Sequence, residues 1–240
     1  MKTYYGINSE FQGWEKAPPL IASLIAEIGA KRILEVGSGA NPILSSRYVR
    51  DAAITYVTSD LCAEELEKAD PAFERLVLDL SGESVDPALL GTFDIVLSHM
   101  VCEHIQDGEQ FHRNISSLLR PGGLSVHFVA ALGNLPMLAN RLIPGWFSDF
   151  LQKTFAPRDA HRHRKFKAYY SWSRGPTPAM IQRFQSLGFE VLVYNGYFGH
   201  DYYKARLKPL HWLEGFKSRW LVRHPVPQLA SYATIILRKR

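Results

Sequence analysis

The chain has 240 residues, 46% hydrophobic and 12% aromatic, enough to bury a full core, and its Gly and Pro are scattered, so one domain over 1–240 carrying insertions is expected. Two cysteines, Cys62 and Cys102, exclude a disulfide framework and cannot alone make a structural zinc site. The formal charge of +5 suits an anionic partner, but the excess gathers in Arg158 to Lys167 and in Arg238-Lys239-Arg240, so no general polyanion-binding surface is required. The start of the chain lacks the apolar stretch of a signal peptide, and nowhere do about 18 uncharged apolar residues run together. A cytoplasmic protein is expected, at most peripheral to the inner membrane face.

The first predicted helix runs from Pro18 to Ile28, with Leu20, Ile21, Leu24, Ile25 and Ile28 at helical spacing and Gly29 to end it. Arg32 to Val36 reads as a short buried strand entering a glycine turn, and a second helix is expected to open near Pro42. The pattern recurs in Ile54 to Ser59 before Asp60, Arg75 to Leu78 before Asp79, and Phe93 to Leu97 before Ser98. A helix over Gln110 to Leu119 is stopped by Pro121-Gly122-Gly123 ahead of a strand at Leu124 to Ala130. Thr177 caps a helix carrying Met180, Ile181, Phe184 and Leu187; strands at Phe189 to Tyr194 and Tyr232 to Leu237 follow. Alternation of this kind predicts a Rossmann-like α/β fold, a seven-stranded, mostly parallel sheet with helices on both faces. The long intervals 132–176 and 195–231 follow strand ends, the edge where such sheets bind ligands, and are expected to form a substrate lid.

The first turn reads Glu35-Val36-Gly37-Ser38-Gly39-Ala40-Asn41-Pro42. Gly37 and Gly39 let backbone pass close under a ligand and take strained dihedrals. A dinucleotide fingerprint wants glycine where Pro42 stands, which disfavours NAD and FAD. Asp60, about 20 residues beyond the turn, stands where an acid accepts from ribose hydroxyls, unless it merely caps the segment opening at Leu61.

These residues resemble motif I of the class I S-adenosylmethionine (SAM)-dependent methyltransferases, with Asn41 replacing the third glycine of the common G-x-G-x-G. Asp79-Leu80 resembles the family's adenine-side motif, with turn formation the competing role for Asp79. Ser98-His99-Met100-Val101-Cys102-Glu103-His104 is similar to the Glu-His element of many small-molecule methyltransferases, and Leu119 to Leu124 resembles their next motif. The resemblance, which covers about Ile33 to Phe128, implies SAM as cofactor, held by Gly37, Ser38, Gly39, Asp60, Leu61, Asp79 and Leu80, with Glu35 and Ser98 near its methionine end.

Methyl transfer asks the protein to hold the acceptor in line and, for a hydroxyl, to remove its proton. His99, Glu103 and His104 are the candidate bases at this edge, or Glu103 and His104 brace the loop under the cofactor. His99, Glu103 and Asp107 share an i, i+4 face that some metals accept, but such spacing is common on polar helix faces and no metal is expected.

In the first interval Leu135, Leu138, Leu142, Trp146, Phe150 and Leu151 form an amphipathic pattern ahead of the basic run, either a lid packed on the domain or a peripheral membrane contact over 135–167. The aromatics of Tyr169 to Arg174 and of Tyr197 to Tyr203 belong either to a stacking rim or to the core. This texture looks like that of methyltransferases of bacterial cell-surface glycan clusters. No Asn-Pro-Pro-Tyr element follows the fourth predicted strand, so nucleic acid is a less expected substrate. The expected acceptor is a small molecule or saccharide, free or lipid-linked, methylated on oxygen; the alternatives are a non-catalytic interaction module and an RNA methyltransferase.

Overall fold

The computed structural model describes residues 3–133, 167–201, 204 and 208–240. The strands are β1 (Tyr5–Ile7), β2 (Arg32–Val36), β3 (Thr55–Asp60), β4 (Glu74–Val77), β5 (Phe93–His99), β6 (Leu119–Ala130), β7 (Phe189–Phe198) and β8 (Tyr232–Lys239). The helices are α1 (Ala17–Ile28), α2 (Ser46–Asp51), α3 (Ala63–Glu67), α4 (Gly108–Leu118), α5 (Pro178–Ser186) and α6 (Lys208–Arg223). One sheet takes the order β1-β7-β8-β6-β5-β2-β3-β4, with β8 antiparallel to β6 and β7 and every other pairing parallel.

Alternation along the strands puts core on both faces. Ile33, Ile95 and Leu97 join Ile21 and Ile25 of α1 in one apolar layer. Leu34 and Val96 join Phe111 and Ile115 of α4 and Phe184 of α5 in the other. Strands buried on both sides need such cover, as expected of parallel pairing. Local signals act as read at two helix ends: Gly29, at φ 63°, caps α1, and the Thr177 side chain accepts from the Met180 amide at the start of α5.

Several boundaries differ from expectation. The sheet has eight strands, because Tyr5–Ile7 pairs in parallel with Gly196–Phe198 of β7. Pro42 opens no helix; the loop continues to Ser45, whose hydroxyl accepts from the Tyr48 amide and starts α2. Pro121-Gly122-Gly123 lies inside β6, where the register against β5 jumps from Phe93–Leu119 to Ile95–Leu124; Gly122, at φ 78°, makes that bulge. The interval 195–231 carries the end of β7 and all of α6. Tyr170, Trp172 and Tyr197 are 5%, 8% and 1% exposed, so the core reading holds for them. The amphipathic stretch and basic run at 135–166, and Tyr202 and Tyr203, lie outside the described residues. Among the described residues no helix is long and apolar enough to cross a membrane.

Candidate active site

From β2 the chain moves outward one way through β3 to β4 and, after crossing back, the other way from β5 to β6. The crevice beyond the carboxyl ends of β2 and β5 is thus the place where the winding reverses, the position at which open α/β sheets take ligands. The glycine loop leaves β2 here. Gly37 and Gly39 sit at φ 69° and 49°, and a Cβ on Gly37 would stand 2.5 Å from Val101 Cγ2. The Gly37 and Ser38 amides donate to the Ser59 carbonyl at 2.7 and 3.1 Å, which ties the loop to the end of β3. Glu35 works from beneath. Its carboxylate accepts from the Ile43 amide at 3.0 Å and the Tyr56 hydroxyl at 2.6 Å, and burial pushes its pKa up to about 7. Glu35 therefore anchors the far side of the loop, and its side chain is 2% exposed.

Asp60 ends β3 opposite this turn. One carboxylate oxygen accepts from the Cys62 amide at 3.1 Å, and Oδ2 lies 3.4 Å from where a Gly39 Cβ would be. Leu61 beside it is 64% exposed. The Ser38 hydroxyl is buried without a hydrogen-bond partner, the state of a group built for a ligand. A Cβ-free cradle, a carboxylate at its rim, an uncovered apolar side chain and an unmatched hydroxyl together fit a nucleoside-bearing group such as SAM. Further along, Asp79 accepts from the amide and hydroxyl of Ser81, the local turn bond weighed against its adenine role. Asn114 of α4 donates to the Leu80 and Gly82 carbonyls at 3.0 and 2.8 Å and holds that loop in place.

The β5 side divides by strand parity. Ser98 is fully buried; its hydroxyl meets His127 Nδ1 at 2.8 Å and Cys102 Sγ at 3.3 Å. The Ser98 hydroxyl is thus engaged on the α4 side of the sheet, which leaves its main chain to face the crevice end of β5. His127 there is fully buried and its pKa falls to about 3, so this network is neutral. His99 points to the other layer. Its Nε2 stands 2.7 Å from the Gly13 carbonyl and its ring meets Phe128 edge-on at 6.0 Å. A carbonyl only accepts, so Nε2 carries the proton and Nδ1 keeps a lone pair; burial also lowers the pKa. His104 Nδ1 is 3.1 Å from the Lys167 carbonyl.

Glu103 lies in a 3-10 turn, Cys102–His104, and its main-chain carbonyl accepts from the Tyr169 and Tyr170 amides at 2.8 and 3.0 Å. The carboxyl is buried, and burial raises its pKa to about 8. The unfolded chain releases this proton above about pH 4.5 and the folded chain only near 8, so stability falls as pH rises between them. The loss is on the order of 3 kcal/mol at neutral pH. Glu103→Gln is expected to match the wild type in thermal midpoint at pH 4 and to exceed it by roughly 10 °C at pH 8; a gap that ignores pH contradicts this. The shared helical face for His99, Glu103 and Asp107 is also corrected: they occupy a strand end, a 3-10 turn and the cap of α4. No metal-holding cluster occurs among the described residues.

Sequence reasoning missed the segment before α1. It forms one wall of a cleft of about 660 Å³ in which Phe11, Trp14 and Tyr232 face polar Asn8, Lys16 and Asp201. Trp14 meets Phe11 and Tyr232 edge-on at 5.1 and 5.4 Å, and Phe11 meets Phe128 at 6.4 Å. Gly13, which receives the His99 bond, lies between two of these wall residues. The signal in the sequence was the bare pair Phe11 and Trp14, without periodicity.

A methyltransferase-domain family model matches residues 34–127. The ubiquinone biosynthesis O-methyltransferase of Azotobacter vinelandii is 26% identical over 165 residues, 66% of this chain and 69% of that protein. The norajmaline N-methyltransferase of Rauvolfia serpentina is 30% identical over 119 residues, 48% of this chain and 41% of its own. Among solved structures, a SAM-dependent methyltransferase from Mesorhizobium loti superposes with a TM-score of 0.53 at 16% identity, covering 92% of this chain and 96% of that one. With the glycine loop and Asp60 at the point where the sheet reverses, residues 34–127 match the methyltransferase-domain family and the chain has the fold of SAM-dependent methyltransferases.

Proposed function

We propose that the protein methylates a hydroxyl of a small ring compound, a saccharide or a phenol, seated against Phe11, Trp14 and Tyr232. Gly37, Ser38, Gly39, Asp60 and Leu61 hold the donor, Asp79 and Leu80 border its adenine, and Glu35 keeps the loop in shape. When bound, SAM supplies a methyl group already activated by its sulfonium. What this chain adds is position and a proton acceptor: His99 Nδ1, kept unprotonated by the bond from Nε2 to Gly13, takes the acceptor's proton.

The observation that carries the reading is that histidine, held in one tautomer by the carbonyl of Gly13 in the segment that supplies Phe11 and Trp14 to the aromatic cleft. An aromatic wall faced by an amide, an ammonium and a carboxylate suits a ring with hydroxyls on its edge, and the Azotobacter vinelandii relative is named as an O-methyltransferase. A place in cell-surface glycan or lipid-linked biosynthesis agrees with this chemistry. The test is release of S-adenosylhomocysteine with panels of free sugars, lipid-linked sugars and phenols. Turnover is expected with a hydroxylated ring and none with its deoxy analogue, and Trp14→Ala is expected to raise KM about tenfold or more by removing one stacking wall. Equal turnover on amines lacking a hydroxyl would sink the reading.

A further inference from the structure

Helix α6 is turned inside out relative to an ordinary surface helix. Only Ser218 and Leu221 of its 16 residues are buried, while Trp212, Phe216, Leu213 and Trp220 are 66%, 60%, 54% and 50% exposed. Trp212, Phe216 and Trp220 follow one another at i, i+4 and i+8, so they form one stripe, and the first two rings stack at 6.4 Å. The charges on the helix are almost all of one sign. Lys208, Lys217, Arg219 and Arg223 are joined by a single acid, Glu214, whose side chain is 11% exposed and pairs with Lys217.

We propose that α6 is an interfacial helix that seats its Trp212-Phe216-Trp220 stripe in the surface of an anionic bilayer. An apolar stripe with indole rings, flanked by cations and low in overall hydrophobicity, is what lies in the plane of a membrane interface. A second copy of the chain fits less well, because a two-fold contact through this stripe would bring Lys208, Arg219 and Arg223 against their own counterparts, with Glu214 withdrawn from the surface. The helix is rigidly mounted. A Cβ on Gly199 would stand 2.5 Å from Ser218 Oγ, and His200 approaches Glu214 at 3.8 Å. The next residue, Asp201, lines the aromatic cleft. Seating α6 therefore sets the cleft beside the bilayer surface. This surface is separate from the interval 135–167, and the inference does not depend on which acceptor the cleft takes.

The test is flotation of the full chain with vesicles of phosphatidylcholine alone or with added phosphatidylglycerol, together with tryptophan emission. Binding is expected only with the anionic lipid, with a blue shift and a fall on adding salt. Replacing Trp212 and Phe216 by Ser should abolish flotation. Arg219→Gln and Arg223→Gln should each weaken binding about fivefold, and SAM affinity measured by calorimetry should stay unchanged in all of them. Absence of wild-type binding to the anionic vesicles overturns the proposal. So does a wild-type dimer that the Trp212→Ser, Phe216→Ser variant loses, which would assign the stripe to self-association.

Discussion

Asp60→Ala is expected to lower SAM affinity roughly 10- to 100-fold, the worth of about 1.5–3 kcal/mol for hydrogen bonds to an ionised carboxylate. The proposed site gives the carboxylate two tasks. One oxygen accepts from the Cys62 amide at the entry to α3, and Oδ2 stands over the Cβ-free face of Gly39, where a ribose edge is to lie. Alanine removes both, so about 1 kcal/mol of stability is also expected to go. Asp60→Asn separates them: the amide oxygen still serves Cys62, while the charge at the rim is lost. Calorimetry on both variants, with thermal unfolding alongside, distinguishes the tasks. Two folded variants that bind SAM as tightly as the wild type would remove Asp60 from the site and take the ribose assignment with it.

The loop and its acid were legible in the sequence because their constraints are local. A backbone at φ 69° and 49° calls for glycine wherever the rest of the chain goes, and an acid at a strand end needs only the next amides. What was illegible depends on distant partners or on a competition between neighbours. Tyr5–Ile7 becomes a strand only because Gly196–Phe198 offers an edge far along the chain. Pro42 is tolerated at a helix start, but Ser45 supplies a cap bond that proline cannot, and the helix begins there. Ser98 is a different case, since counting by two along β5 would have placed it. Val96 lies in the layer beneath α4, so Ser98 turns the same way toward His127, and His99 turns with Leu97 toward Phe128. For α6 the helical period is visible in the sequence, but not that its aromatic stripe faces outward; that follows from the small Ser218 fitting against Gly199.

The same parity favours His99 among the proposed bases, and that proposal carries the largest expected kinetic effect. His99→Ala is expected to reduce kcat by about 10²–10⁴ while leaving SAM affinity unchanged. Glu103 is buried, and its main-chain carbonyl holds Tyr169 and Tyr170, which favours the bracing role for it. His104 is fixed on the Lys167 carbonyl, whereas the Gly13 carbonyl that fixes His99 lies in the segment between Phe11 and Trp14 of the cleft wall. Because burial lowers the His99 pKa, the imidazole is neutral at pH 7. Activity should fall on acidification only below the usual histidine range, and that limb should vanish in the variant. His99→Gln is the stricter test. Its amide can still donate to Gly13, so the segment before α1 stays in place, yet it has no basic lone pair. If the ring only positions that segment, His99→Gln recovers kcat; if it accepts the proton, His99→Gln remains as slow as His99→Ala with KM close to the wild type. Recovery of wild-type kcat by His99→Gln would leave the chain without its proposed base and would move the reaction toward acceptors that need no proton removed.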